Sequence, residues 1–170
     1  MKTYLALGIA CLSWACLPTA QAQPQQPSSH HSHQHERFET QQRTEIESVL
    51  KGYEQSLNAS DVEGVIQLYT DDAVLLAPDA PSAVGIEAVR YAYTTTFQAI
   101  SLNIHFEIAE MKLLSPEWAF LRTNSTGVIK IVANGAQIPE GNQELFLLRK
   151  SHGYWKIARY SFSSFLRSAK

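Results

Sequence analysis

The first half of the chain has hydrophobic residues at helical spacing. An apolar stripe with intervals of three and four residues follows Thr44 and stops before residues 58–59, which indicates an amphipathic helix. Thr44 with Glu47, and Ser60 with Glu63, have the spacing of capping boxes and so predict two helix N-termini. A third stripe predicts a helix of about fifteen residues that ends near residue 100. The apolar positions of the three predicted helices are Ile46, Val49, Leu50, Tyr53 and Leu57, then Val62, Val65, Ile66 and Tyr69, then Ile86, Val89, Tyr93, Phe97 and Ile100.

After residue 101 the pattern changes to that of strands. A short apolar run precedes the third helix, and four longer runs rich in β-branched and aromatic residues follow it. Ser151-His152-Gly153 separates the last two runs, and a three-residue loop with glycine predicts a β-hairpin there. Helices followed by an antiparallel meander define the α+β class. The predicted strands are residues 73–77, 102–114, 118–132, 143–150 and 154–165.

Three local segments resemble the NTF2-like, or SnoaL-like, superfamily over residues 41–165. They are residues 58–74, with an aspartate at the second helix and an Asp-Asp-Ala-Val entry to the first strand, residues 85–89 at the start of the third helix, and the closing strand 153–162. The subgroup that the chain resembles most is the exported DUF4440-type proteins. The resemblance implies three N-terminal helices packed in a strongly curved antiparallel sheet, a cone with a pocket at its open end. It also implies a homodimer through the outer sheet face.

The N-terminal segment reads as an export signal. Residues 1–22 have one positive residue, an apolar run of thirteen residues and an Ala-Gln-Ala cleavage site, which is typical of a signal peptide. A lipoprotein signal is the alternative, since Cys11 and Cys16 lie in that run. Residues 23–39 are rich in Gln, Pro and His and predict a disordered linker. We therefore expect a domain over residues 40–167, periplasmic or secreted, with no membrane segment after signal cleavage.

The composition and the absent motifs exclude several kinds of binding site. Both cysteines lie in the signal, so the mature chain can have no disulfide or thiolate site. Because Lys2 is the one charged residue of the signal, thirteen basic and sixteen acidic side chains remain, a formal charge of −3. That balance offers no basic field for nucleic acid. No dinucleotide, phosphate-loop or metalloprotease motif is present, so no cofactor is predicted. Weak divalent metal binding is the exception, at the histidine tract of His30, His31, His33 and His35.

Three residues are candidates for proton transfer. Ketosteroid isomerases of the resembled superfamily use a tyrosine on the first helix, a carboxylate base and a second carboxyl that an apolar site keeps protonated. Tyr53 lies on the first helical stripe, Asp72 follows the second helix, and His105 is the one histidine within the long strands. Imidazole exchanges protons near neutral pH. Turn capping is the alternative role for Asp72, and packing or solvation is the alternative for His105.

Charged residues among the strand aromatics are the other candidates. Buried charges need partners, so Glu144 is expected to brace the sheet through Arg122 or Arg159, or to form a polar pocket wall with them. A two-residue turn at Asn134-Gly135 would set Arg122 opposite Leu147 instead, so the register decides between these readings. The predicted pocket residues are Tyr53, Tyr69, Phe97, His105, Arg122, Asn124, Glu144, Trp155, Arg159 and Tyr160.

Two functions are consistent with these features of the sequence. The first is an exported domain that binds a small, partly apolar molecule in its cone, with cofactor-free acid–base chemistry of the isomerase, cyclase or dehydratase kind. The second is a non-catalytic dimeric binding or scaffold module whose histidine-rich N-terminal tail chelates metal. Fold by itself specifies neither.

Overall fold

The computed structural model describes residues 29–166. The predicted signal peptide therefore lies outside the described residues. Three helices and six strands follow one another along the chain. They are α1 (Ser29–Asn58), α2 (Val62–Gln67), β1 (Tyr69–Leu76), β2 (Ala83–Val84), α3 (Ile86–Ala99), β3 (Ile100–Ser115), β4 (Trp118–Ile131), β5 (Gln137–Ser151) and β6 (Tyr154–Ser164). Over this range no helix has the length and apolar character needed to cross a membrane.

The six strands form one curved sheet in the order β2-β1-β6-β5-β4-β3, which does not close into a barrel. The predicted α+β cone is confirmed. One detail differs from the prediction, because β1 runs parallel to β6 and the sheet is mixed. The long strands form the expected antiparallel meander. Irregular register beside Ala109 in β3 and Ala158 in β6 marks bulges, which bend a sheet locally.

Helix α1 starts at Ser29, so the predicted disordered linker is wrong over residues 29–39. No glycine or proline follows Pro27 in that segment. A helix nucleated on the apolar stripe can therefore extend upstream, since each added residue gains one hydrogen bond. Thr44 is an interior residue whose hydroxyl donates to the carbonyl of Thr40. Asp61, one residue later than expected, is the N-cap of α2 and accepts from the Gly64 amide.

The core lies between the helices and the inner face of the sheet. Alternate residues of β4 and β5 are buried, from Ala119 to Ser125 and from Asn142 to Leu148. The apolar stripe of α1 packs on them, and Tyr53 touches the ring of Phe146 edge-on at 5.8 Å between centroids. Each fully buried large side chain stabilises the fold by roughly 1.5–3 kcal/mol. Polar residues that alternate with this set lie on the outer face.

Side chains of α1 cover the free edge of β3. Asn58 makes two hydrogen bonds of 2.8 Å to the backbone of Ile104, one to its amide and one to its carbonyl. Glu54 accepts from the amide of Phe106 at 2.8 Å. These groups would otherwise be unpaired, because β3 is the last strand of the sheet. The first helix is thus fastened to the sheet by polar contacts as well as by its apolar stripe.

The β4–β5 loop sets the register of the polar strand residues. Four residues separate Ile131 from Ala136, which are joined by a backbone hydrogen bond of 2.8 Å. Gly135 adopts φ +70° in this loop, a conformation that glycine adopts without steric cost. The predicted two-residue turn is therefore wrong. Arg122 pairs with Leu145 in the ladder.

Candidate active site

A cavity of about 770 Å³ opens between α1, α3 and the inner face of the sheet. Its size suits a small organic ligand. Tyr91 of α3 belongs to its wall and is 74% exposed, so the cavity reaches solvent beside α3. Most of the wall is apolar, including Leu57, Leu75, Ala92, Phe97, Ile104 and Ile129.

Three tyrosine hydroxyls form a connected group at one part of the wall. The Oη of Tyr93 lies 2.5 Å from that of Tyr53 and 2.9 Å from that of Tyr69. The three residues come from α3, α1 and the first position of β1. Burial raises the pKa of Tyr53 and Tyr69 well above the ordinary value, and that of Tyr93 to about 12. All three are therefore neutral hydroxyls at physiological pH.

The tyrosine group can present a hydrogen-bond donor to a ligand. Tyr53 and Tyr93 line the cavity, whereas Tyr69 stands behind them. Each hydroxyl has one proton, so Tyr69 can donate to Tyr93 and Tyr93 to Tyr53, which leaves the proton of Tyr53 free for an acceptor in the cavity. Hydrogen bonds in such a chain polarise one another and strengthen the terminal donor. Nearby, Tyr160 lines the cavity and stacks on Phe146 at 4.3 Å.

Glu144 lies at the inner face of β5, 1% exposed. It pairs in the ladder with Thr123 of β4, whose hydroxyl donates to Oε2 at 2.6 Å. The hydroxyl of Ser125 donates to Oε1 at 2.5 Å. Burial raises the pKa of Glu144 and the nearby charge of Glu140 adds to the rise, whereas the two hydroxyl donors oppose it. The carboxyl thus stands one hydrogen bond behind the cavity, since Ser125 is part of the wall.

Glu140 and Asn142 continue the same face of β5 into the cavity wall. The side-chain amide of Asn142 donates to Oε1 of Glu140 at 2.5 Å. Asn142 is 7% exposed, and its Oδ1 accepts no hydrogen bond from any residue in the described range 29–166. The wall therefore has a free hydroxyl donor at Tyr53 and a carboxylate acceptor at Glu140. Among residues 29–166, no group of three or more acidic, histidine or cysteine side chains could hold a metal ion.

Five of the predicted pocket residues lie at this site. Tyr53, Phe97 and Tyr160 line the cavity. Tyr69 supports Tyr93 from behind, and Glu144 supports Ser125 in the same way. The hydrophobic pattern identified these positions because all of them face the core.

The charged strand candidates lie elsewhere. His105 is exposed on the outer face and pairs with Glu54 at 3.0 Å. Arg122, also on the outer face, lies 3.5 Å from Glu110, so it does not brace Glu144. Asp72 is exposed and pairs with Arg149 at 2.7 Å and with Arg159 at 3.9 Å. None of these side chains lines the cavity, and the expected pairing of Glu144 with Arg159 is also wrong.

Two further predicted residues are outside the cavity. Asn124 lies on the outer face of β4, between the inward Thr123 and Ser125. Trp155 is buried, but its indole N–H donates to Gln42 of α1 at 3.0 Å, so it serves the helix–sheet contact. The alternation of inward and outward positions explains the errors at Asn124 and Arg159, since the prediction grouped neighbours such as Arg159 and Tyr160 that point to opposite faces.

The sequence reading missed the partners of the site. Ser125, Asn142 and Glu140 were not selected as candidate site residues. The signal for the β5 residues was the alternation itself, because positions two and four before Glu144 share its face of a strand. That signal was usable only with the register known.

Comparisons with known proteins agree with this architecture. A cone of helices in a curved sheet, with a ligand-sized cavity inside, defines the NTF2-like class. The family model of the SnoaL-like domain matches residues 49–158, and the chain belongs to this family. The DUF4440-type subgroup stays a prediction. A search of curated proteins finds no match.

Solved structures give the same result. A ketosteroid isomerase-like protein from Erwinia carotovora atroseptica SCRI1043 is 38% identical, with 72% of this chain and 95% of that chain covered and a TM-score of 0.69. A hexachlorocyclohexane dehydrochlorinase from Novosphingobium barchaimii LL02 is 10% identical, with 77% and 91% covered and a TM-score of 0.69. An NTF-2 like protein of unknown function from Shewanella oneidensis MR-1 is 20% identical, with 71% and 98% covered and a TM-score of 0.59. The last two similarities concern the fold alone.

Proposed function

We propose that this protein binds a small, partly apolar carbonyl compound in the cone and catalyses cofactor-free proton transfer on it. The observation that carries the proposal is the cavity wall, which combines a tyrosine donor group with an acceptor carboxylate in an apolar surround. The family includes isomerases, dehydratases and cyclases that bind small molecules. An acid and a base in one apolar pocket are the minimum for such chemistry.

Each polar group has a defined role in this proposal. The carbonyl oxygen accepts a hydrogen bond from Tyr53, and the carboxylate of Glu140 takes the proton from the adjacent carbon. The electron pair of that C–H bond moves to form an enolate, whose negative oxygen is stabilised by the tyrosine donor. Where the compound has a C=C bond next to that carbon, the enolate is a conjugated dienolate, and return of the proton to its far carbon shifts the double bond and gives the isomer. Glu144 fixes Ser125 and does not touch the ligand.

Deuterium exchange tests the proposal without knowledge of the natural substrate. The probe is 2-acetylnaphthalene, an apolar ketone, incubated with the protein in D₂O and followed by NMR. Wild-type protein should accelerate exchange of the methyl protons, and Tyr53→Phe and Glu140→Gln should each lower the rate by about tenfold or more. Tyr154→Phe is the control, because Tyr154 is exposed on β6 outside the cavity.

The outcomes separate catalysis from binding. Saturable binding with no exchange above the buffer rate would support the non-catalytic ligand-binding version of this function. Equal exchange by wild type and Tyr53→Phe would remove the tyrosine from the mechanism. Absence of both binding and exchange would reject the cavity as a ligand site for apolar ketones.

We also propose a homodimer through the outer face of the sheet. Leu145 at the centre of β5 is 47% exposed, and its ladder neighbours are Arg122 and Ser161. Half-buried Phe120 and Leu147 lie beside it on the same face. Light scattering on wild type and on Leu145→Glu tests this: a dimer that the charge converts to monomer supports it, and a wild-type monomer at high concentration contradicts it.

Export and metal binding stay proposals that support an alternative function, a scaffold with a chelating tail. Because α1 begins at Ser29, His31 and His35 occupy positions one turn apart in a helix, a spacing used by metal-binding histidine pairs. Zinc titration of the chain from Gln23 against a chain from Thr40 tests the tail, and equal uptake contradicts it. Mass spectrometry of the exported protein tests cleavage before Gln23.

A further inference from the structure

The acceptor wall on β5 has more acceptors than donors. Three side chains with acceptor oxygens, Glu140, Asn142 and Glu144, alternate along one face of the strand. Over residues 29–166, neither carboxylate forms an ion pair with a lysine, arginine or histidine. The donors present are two hydroxyls and one amide, and all three are used. Among the described residues, none donates a hydrogen bond to the buried Oδ1 of Asn142.

This arrangement is costly when the cavity contains only water. A buried carboxylate without a cation loses solvation that its hydrogen bonds replace only in part. The partly buried Glu140 lies close to Glu144 and repels it, and the pKa of Glu144 is raised first by burial and further by the charge of Glu140. A positive group in the cavity would remove the repulsion and supply N–H donors to the free oxygens.

Aromatic faces next to the carboxylates favour the same charge. Phe162 of β6 pairs with Glu144 in the ladder and lines the cavity. Its ring stacks on that of Tyr160 at 5.4 Å. Aromatic faces attract cations, most strongly where water is excluded. The surrounding wall of Leu102, Ile100 and Ile129 suits a hydrocarbon body attached to the charge.

We propose that the ligand carries a protonated amine, which binds between Glu140, Asn142 and the aromatic pair while its apolar body fills the cone. This inference rests on the proposed function for the cavity as a ligand site, and it names the class of ligand as small amphipathic amines. One ammonium neutralises one of the two carboxylates. Because Glu144 does not touch the ligand, this carboxylate is Glu140, so a bound amine occupies the base of the proposed mechanism and fits the binding version of the proposed function.

Three probes of one shape test the inference: 2-phenylethylamine, the neutral 2-phenylethanol and the anionic 3-phenylpropanoate. Binding is measured by calorimetry and NMR on the full mature chain at pH 7. The amine should bind about tenfold or more tightly than the alcohol, and the anion should bind most weakly. Glu140→Gln should abolish the preference for the amine with little change for the alcohol. Glu107→Gln is the control, because Glu107 is exposed outside the cavity.

A second variant keeps the test decisive if Glu140→Gln does not fold. Asn142→Asp adds a carboxylate and should increase the preference for the amine. Equal affinities of wild type for amine and alcohol would overturn the inference and leave the proposed function standing. Binding of none of the probes, with no exchange of the ketone, would instead reject the proposed function.

Discussion

Replacement of Glu144 by glutamine should make the protein more stable than wild type at alkaline pH. The side chain is 1% exposed and accepts from two hydroxyls, and it has no cationic partner among the residues that the structure describes. Glutamine has nearly the same shape and no charge. At low pH both side chains are neutral, and we expect the two proteins to differ by no more than about 1 kcal/mol, the value of one neutral hydrogen bond.

The sign of the effect follows from the raised pKa of Glu144. In the folded state the carboxyl keeps its proton to higher pH than in the unfolded state, so the unfolded state binds fewer protons and stability falls as pH rises. The loss begins near the unfolded pKa of glutamate, about 4.3, and ends at the raised folded pKa, with a slope of at most about 1.4 kcal/mol per pH unit. Glutamine does not titrate, so it causes no such loss of stability as the pH rises.

Urea unfolding of wild type and Glu144→Gln from pH 4.5 to 8.5 measures the difference. The stability of the variant minus that of wild type should rise with pH and then reach a plateau. Other titrating groups are the same in both proteins and cancel. Glu107→Gln, at an exposed position, should give a flat difference. A flat difference for Glu144→Gln as well would refute our account of a buried carboxylate without a cation.

Three further changes test other contacts. Asn58→Ala should cost about 1–3 kcal/mol in urea unfolding, because both backbone bonds to Ile104 are lost; a change below about 0.3 kcal/mol would show that water replaces them. Gly127→Ala should destabilise by several kcal/mol or prevent folding, since an added Cβ would collide with the carbonyl of Asn103; near-normal thermal stability would contradict this close approach. Asp72→Asn should cost no more than about 1 kcal/mol, and less in 1 M salt, because its ion pairs are exposed; an effect independent of salt would contradict a Coulombic origin.

The sequence was sufficient for the elements and the class of fold. The apolar stripes of the helices have the period of the surface they bury, and the hairpin at His152 follows from local turn chemistry. The start of α1 was missed, because residues 29–39 have no apolar pattern and their helix is an extension of a neighbour. The parallel pairing of β1 with β6 was missed as well, since these strands lie far apart in the chain.

Only part of the site could be predicted, because the alternation and register of the strands decide which residues face the cavity. Glu144 was correctly singled out as a charge among buried residues, but its expected partner was an arginine. The actual partners, Thr123 and Ser125, are small hydroxyls on the facing strand, which nothing in a single strand identifies. The length of the β4–β5 loop decides this pairing, and a difference of two residues in the loop changes every cross-strand partner.

The polar contacts between α1 and β3 have a consequence for aggregation. Strand β3 has 16 residues, and an uncovered edge of that length is a template for pairing with other chains. At the opposite end, β2 has two residues and offers little for another strand to pair with. Detachment of α1, by heat or by loss of Asn58 and Glu54, would therefore expose a strand edge that can pair with the edges of other chains. The first helix thus prevents strand pairing at the edge of β3 and also forms a wall of the cone.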